Sequence, residues 1–146
     1  MSGMGAVVVV AALAVTAVAA WWLRTRDGAV RSTGAEEDGV AASAFDRLGV
    51  RPGEADLTVV QFSTAFCGPC RATKARLRQL QATRPGLAIV QVDAESHLDE
   101  VRALDVRRTP TLFYLGRDGE LIGRSSGAPR PDELTALVDA HTGAGS

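Results

Sequence analysis

The first 23 residues contain no Lys, Arg, Asp or Glu; all 16 basic and 17 acidic residues lie from Arg24 onward. Sulfur is nearly as scarce: the 146-residue chain has two cysteines and two methionines, and aromatic residues make up only 5%. Two cysteines are too few to staple a small secreted fold, and they fix neither compartment nor oxidation state. A formal net charge of −1 excludes the basic footprint of a nucleic-acid binder. No cysteine stands near the N-terminus to carry a lipid, and no internal repeat is present. The length suits one domain of ordinary size with a short additional segment.

The N-terminus offers apolar surface instead. MGAVVVVAALAVTAVAAWWL, residues 4–23, is apolar apart from Gly5 and Thr16. At about 1.5 Å per residue, roughly 20 such residues cross a hydrocarbon core of about 30 Å. Trp21 and Trp22 close the run, and indoles favour the membrane–water interface. The expectation is one transmembrane helix, residues 1–23, acting as a single-pass anchor. A cleaved signal peptide is the rival, because Ala17-Val18-Ala19 fits a small-x-small cleavage site. Against it, MSGMG lacks a basic residue and a Trp pair just past the cut is unusual. A buried soluble helix is disfavoured by an apolar surface on all sides. Positive charge beside a membrane helix tends to stay cytoplasmic. Arg24, Arg26 and Arg31 follow the helix, which puts the domain on the cytoplasmic side. Asp27 and the Glu36-Glu37-Asp38 run count little in that rule.

Residues 24–43, RTRDGAVRSTGAEEDGVAAS, are small and polar with no sustained apolar period, and read as a juxtamembrane linker. A globular unit, residues 44–146, follows. LTVVQFS (57–63) and LAIVQVD (87–93) read as buried strands. Between them Thr73, Leu77 and Leu80 line one face of an amphipathic helix that Pro85-Gly86 stops. Ser96 to Asp99 resembles a helix cap, with Leu98, Val101 and Leu104 following at a spacing of three. TLFYL (111–115) is a third strand, Asp118-Gly119 a hairpin turn, and LIGRSS (121–126) its antiparallel partner. Pro131 opens a last helix bearing Leu134, Leu137 and Val138 on one face. Strands alternating with helices, then a hairpin, imply a mixed α/β sheet covered by helices.

The two cysteines fall in TAFCGPCRATK, residues 64–74, where a strand ends and a helix begins. A thiol attacks only as thiolate, and a free cysteine has a pKa of about 8.5. Unpaired N–H groups and the positive helix dipole at that point favour the thiolate of Cys67. Cys70, one turn later, faces the same way and can close a small disulfide with it. Gly68-Pro69 suits the helix start, since proline lacks an N–H that would be orphaned there. The indicated chemistry is thiol–disulfide exchange, with Cys67 attacking and Cys70 resolving. A zinc site is the functional rival, but one C-x-x-C pair supplies two of four ligands. His97 and His141, the only histidines, stand apart, so no metal is assigned. An inert buried pair is the remaining alternative.

VVQFSTAFCGPCRATK resembles the active-site segment of thioredoxins, in which a strand ending in Phe leads to a C-G-P-C helix start. VRRTPTLFYLGRDGE, residues 106–120, resembles that family's second signature: a Thr-Pro, a strand and a Gly turn. The likeness covers roughly residues 57–141. It implies a thioredoxin-like mixed sheet flanked by helices. It also implies a cis Pro110 lying against the disulfide, with the Thr109 backbone exposed to pair with a substrate strand, and Gly127 beside the same surface. Protein disulfides would be the substrates. The electron donor would be a thioredoxin reductase or a membrane thiol carrier, with no cofactor beyond the Cys67–Cys70 couple. The segment before Leu57 matches poorly, so the family's first strand and helix are expected to be reduced or irregular.

The departures from the family pattern are equally specific. Phe66 stands where a Trp is usual, keeping an aromatic surface but losing the indole donor. Gln61 replaces a buried acid beneath the cysteines and cannot accept a proton from Cys70. Ile89 replaces the lysine that pairs with that acid, which removes a buried charge pair. Ala75 replaces a kinking proline. Arg71, Lys74, Arg76 and Arg78 are expected to form a solvated helix face. Arg107 and Arg108, beside Pro110, are better candidates for substrate contact. The leading expectation is a membrane-tethered disulfide reductase, because the Gly-Pro dipeptide resembles that of reducing family members. The alternatives are a non-catalytic binding module, and a dedicated electron-delivery protein for a membrane partner, for example in cytochrome maturation.

Overall fold

Alternation with a period of two sorts the strand residues onto the two faces of one sheet. A computed structural model of the chain describes residues 2–26, 28, 30–31, 35–51 and 53–143. Residue 1 of the expected anchor, residues 27, 29 and 32–34 of the expected linker, and residues 52 and 144–146 of the expected domain lie outside the described residues. The strands are β1 (Val30–Arg31), β2 (Leu57–Ser63), β3 (Leu87–Asp93), β4 (Thr111–Gly116) and β5 (Leu121–Ser126). The helices are α1 (Ser2–Arg26), α2 (Ala35–Arg47), α3 (Gly68–Thr83), α4 (Leu98–Ala103) and α5 (Pro131–Thr142). Strand order is β1-β5-β4-β2-β3. Only β2 and β3 run parallel, joined through α3; the other neighbours pair antiparallel. This is the mixed sheet flanked by helices that the sequence pattern implies.

Leu57 and Val59 of β2 join Leu112 and Tyr114 of β4 on one face, which α3 and α5 cover with Leu77, Leu80, Leu134 and Val138. Val60 and Phe62 join Phe113 and Leu115 on the other, closed by Ala41, Ala44 and Phe45 of α2 and by Leu104. Phe113 holds that second core together, with edge-on contacts to Phe45 and Phe62 at ring-centre separations of 5.4 and 5.7 Å. The period of two puts Gln61 on the α3 face with Leu57 and Val59. A polar side chain is therefore carried into the core directly below the cysteine helix.

Two local expectations differ from what is observed. Residues 24–43 are not a continuous linker. α1 runs on to Arg26, Val30 and Arg31 pair with Ser125 and Arg124 of β5, and α2 starts at Ala35. The first strand is thus reduced to two residues, while the helix after it is complete at 13. The cap before α4 also forms otherwise. His97 is the N-cap residue and makes no side-chain cap bond, while the Ser96 hydroxyl donates to Asp93 at 2.6 Å. The β4–β5 turn is as expected, with Gly119 at φ 82°, a conformation that favours glycine.

Gly28 has a special role at the sheet edge. Its N–H donates to the Ser126 carbonyl at 2.7 Å, its φ is +80°, and it is buried. A Cβ there would lie 2.1 Å from the Ala128 carbonyl oxygen, so only glycine fits.

Candidate active site

β2 ends at Ser63, and the chain turns through Thr64, whose carbonyl accepts from the Cys67 N–H at 3.3 Å. Cys67 is the N-cap residue of α3, with extended backbone at φ −85° and ψ 103°. Its sulfur accepts the Cys70 N–H at 3.2 Å. That bond does for sulfur what an N-cap oxygen does elsewhere, engaging a donor that has no partner within the helix. Gly68 and Pro69 occupy the first helical positions. Cys67 and Cys70 form a disulfide, with Cα atoms 5.2 Å apart. Cys67 is half-buried, whereas Cys70 is only 3% exposed. Solvent therefore reaches the first sulfur and hardly the second. Phe66, just before the motif, is 96% exposed and presents a bare aromatic ring beside Cys67.

Beneath Cys70 lies a pair of amides. Gln61 is fully buried, and its Nε2 donates to the Cys70 carbonyl at 2.9 Å. Its Oε1 accepts from Gln91 Nε2 at 3.2 Å. The two glutamines are register partners in the parallel β2–β3 pair. Gln61 thus has its polar atoms engaged and holds the first turn of α3 onto the sheet. Gln91 is a component that no motif marks. The available signal is that both glutamines are the fifth residue of their seven-residue strands. Ile89, at the position of the missing lysine, packs in the apolar core. A hollow of about 390 Å³ opens on the same side, bounded by Cys70, Lys74, Gln91 and Asp93 among others. The Ser96 hydroxyl, then the Glu95 N–H, hold the Asp93 carboxyl below its usual range.

The second cluster is built by the β4 approach and the loop after β5. The Thr109–Pro110 bond is cis, and the Pro110 carbonyl accepts the Gly127 N–H at 2.8 Å. Gly127 has φ +97°, and the Arg108 side-chain stem lies beside it. Between α3 and the loop after β5 lies a groove of about 310 Å³ lined by Pro69, Thr73, Ala128 and Pro129 among others. Arg107 is turned to Asp105, with Nε 2.9 Å from the carboxylate, which holds the guanidinium further toward the charged form. The basic helix face is also not uniform. Arg71 and Arg78 are exposed, but Arg76 is half-buried and ties α3 to α5 through Thr135 Oγ1 at 2.8 Å. His97 and His141 each contact a backbone carbonyl, of Asp93 and Leu137.

The family model described as Thioredoxin matches residues 40–140. Thioredoxin H4-1 of Oryza sativa subsp. japonica is 31% identical over 87 residues, covering 58% of this chain and 66% of the rice protein. The chain thus spans just under two thirds of that relative's length. Oxidised mitochondrial thioredoxin 3 of Saccharomyces cerevisiae is 30% identical, with a TM-score of 0.53, over 60% of this chain and 81% of that one. Fasciola hepatica thioredoxin is 27% identical, with a TM-score of 0.56, over 69% and 93%. With the C-G-P-C disulfide at the helix start and a family match across most of its length, the chain belongs to the thioredoxin family.

Proposed function

We propose that the chain is a membrane-anchored thiol–disulfide oxidoreductase that reduces protein disulfides. The observation that carries this reading is the asymmetry of the pair: Cys67 is accessible at the N-terminus of α3, and Cys70 is buried behind it. In the dithiol form, the helix N-terminus stabilises the Cys67 thiolate. That thiolate attacks one sulfur of a substrate disulfide. The substrate bond breaks, a mixed disulfide forms, and the departing substrate sulfur takes up a proton. Cys70 then loses its proton and attacks Cys67 Sγ, which releases the second substrate thiol. The substrate gains two electrons, and the protein is left as the Cys67–Cys70 disulfide. A dithiol donor, such as a thioredoxin reductase or a membrane thiol carrier, returns two electrons.

Because Gln61 cannot accept a proton, the proton of Cys70 leaves through the hollow shared with Lys74 and Asp93. Phe66, Thr109, Pro110, Gly127 and Arg108 form the substrate-facing rim. Arg107, held by Asp105, is the weaker contact. The anchor reading rests on α1, whose span Gly3–Thr25 has a mean hydropathy of 2.4 and no buried residue; a soluble core helix is mostly buried. The anchor (1–23) is part of this reading; the folded domain reaches back past the expected boundary at residue 44, since Gly28, β1 and α2 all join it, and the arginines near the end of the helix favour a cytoplasmic domain.

Insulin reduction is the direct test. Turnover should disappear in Cys67→Ser, while Cys70→Ser should accumulate mixed disulfides. Activity that disappears in Cys67→Ser rejects a non-catalytic binding module; no turnover in the native protein would leave only that module. A reduction potential above about −180 mV, the disulfide-isomerase range, would rule out the reductase direction. Sequencing the N-terminus of the membrane-bound form separates the anchor from a cleaved signal. Trapped partners that are exclusively extracytoplasmic would reverse the topology.

A further inference from the structure

We infer that Gly28 clamps the disulfide site against the end of the membrane helix, so that its substrate is a disulfide on a membrane protein at the bilayer surface. The inference rests on the anchor reading given above.

A single residue, Asp27, separates Arg26, the last of α1, from Gly28. That length of chain spans at most about 7 Å. Gly28 is fixed twice at its far end. Its N–H donates to Ser126 O at 2.7 Å, and its α-carbon faces the Ala128 carbonyl so closely that no side chain fits. The peptide group that accepts from Gly28 also donates, through Gly127 N, to the Pro110 carbonyl at 2.8 Å. One peptide unit therefore connects the anchor's exit to the cis-proline loop. Followed through those bonds, the path from Arg26 to Pro110 is about 15 Å. Ala128 lines the same groove as Pro69, between the two cysteines. It is the rim of the active site that is pinned beside the membrane exit, while β3 lies at the opposite edge of the sheet. Were the chain free until α2, the nine residue steps from Arg26 to Ala35 would reach about 30 Å, and the domain could turn its site in any direction. Pairing at Gly28 and β1 removes that freedom. It raises the effective concentration of disulfides at the surface and lowers it for distant ones.

The test uses the full-length protein in phosphatidylcholine vesicles. One variant carries a 20-residue Gly/Ser insertion between Arg26 and Asp27, which leaves every Gly28 contact intact. A second, Gly28→Val, forces a Cβ into the Ala128 carbonyl. The substrates are a lipid-anchored peptide disulfide next to the headgroups and the same disulfide on a rigid helical stalk of roughly 60 Å, about 40 residues. Soluble insulin is the control. The native tether should favour the near disulfide at least tenfold. The insertion should abolish the preference and leave insulin turnover unchanged. Förster transfer from a dye on Cys67, in a Cys70→Ser background, to headgroup-labelled lipid should be strong with the native tether. It should fall with the insertion, and with Gly28→Val if that variant folds. Flotation with the vesicles but equal preference and equal transfer across tethers overturns the clamp alone. Failure to float overturns the anchor and the clamp together.

Discussion

At the scale of single residues, the unusual feature is the amide pair beneath the resolving cysteine. A carboxylate at position 61 would accept only, and it would face the Cys70 carbonyl, which also accepts. Gln61 presents an N–H₂ to that carbonyl and an oxygen to Gln91, so both ends are satisfied without charge. Gln61→Glu should therefore fold with a carboxyl forced toward its protonated form by burial and by the facing carbonyl. A carboxyl whose folded pKa is raised contributes stability below its unfolded value and loses it as pH rises toward the folded one. The variant should lose stability between about pH 4.3, the ordinary glutamate value, and its own raised value, then level off. Urea midpoints from pH 4 to 9, with the native protein as the reference, measure this. A parallel pH profile for the two proteins would mean that residue 61 is more solvated than its burial implies. Gln61 was legible as a departure from a family pattern. Gln91 was not, because its role arises only from the register of β2 on β3.

At the scale of elements, legibility followed the strength of local patterning. β2, β3 and β5 match their sequence boundaries because runs of apolar and β-branched residues end at charged or glycine-rich turns. α5 begins where Pro131 permits it to. The stretch from Val30 to Arg47 gave no such signal. β1 is a strand only because β5 offers an open edge, and the described part of α2 buries Ala41, Ala44 and Phe45, too little apolar surface to make a visible period. α2 is instead located partly by Arg47, whose Nε donates to Glu100 of α4 at 3.0 Å. That bond, followed by the backbone N–H of Glu100, holds the Glu100 carboxyl below its ordinary 4.5. A lowered carboxyl contributes stability above its unfolded value and loses it as pH falls through the folded one. Glu100→Gln should therefore lower the denaturation midpoint slightly at pH 7, and its deficit against the native protein should shrink as pH falls below 4.5. α3 depends on packing more than on charge. Leu77 is fully buried, so Leu77→Ala should cost about 2–5 kcal/mol, whereas Arg78→Ala on the exposed face should stay within about 0.5 kcal/mol. Chemical denaturation separates the two.

At the scale of the whole molecule, stability and location are supplied by different parts of the chain. The large apolar side chains of α1 from Met4 to Leu23 are exposed, Val7 by 68% and Trp21 by 67%. Both cores are built from residues at or after Ala41. In water such a helix leaves an apolar face far larger than a soluble monomer carries; in a bilayer the same surface is solvated by lipid. Removal of residues 1–26 should accordingly separate the two properties. The truncated protein keeps Gly28 and every core residue, so its thermal midpoint should move by less than about 3 °C, the shift that a change of roughly 0.5–1 kcal/mol brings. Insulin turnover should be retained and vesicle flotation lost. A midpoint lower by 8 °C or more would mean that α1 packs against the domain and that its apolar surface serves folding. An unchanged midpoint with flotation lost would assign the helix to placement alone. The chemistry of the pair would then belong to the domain, and the choice among disulfides to the short connection at Gly28.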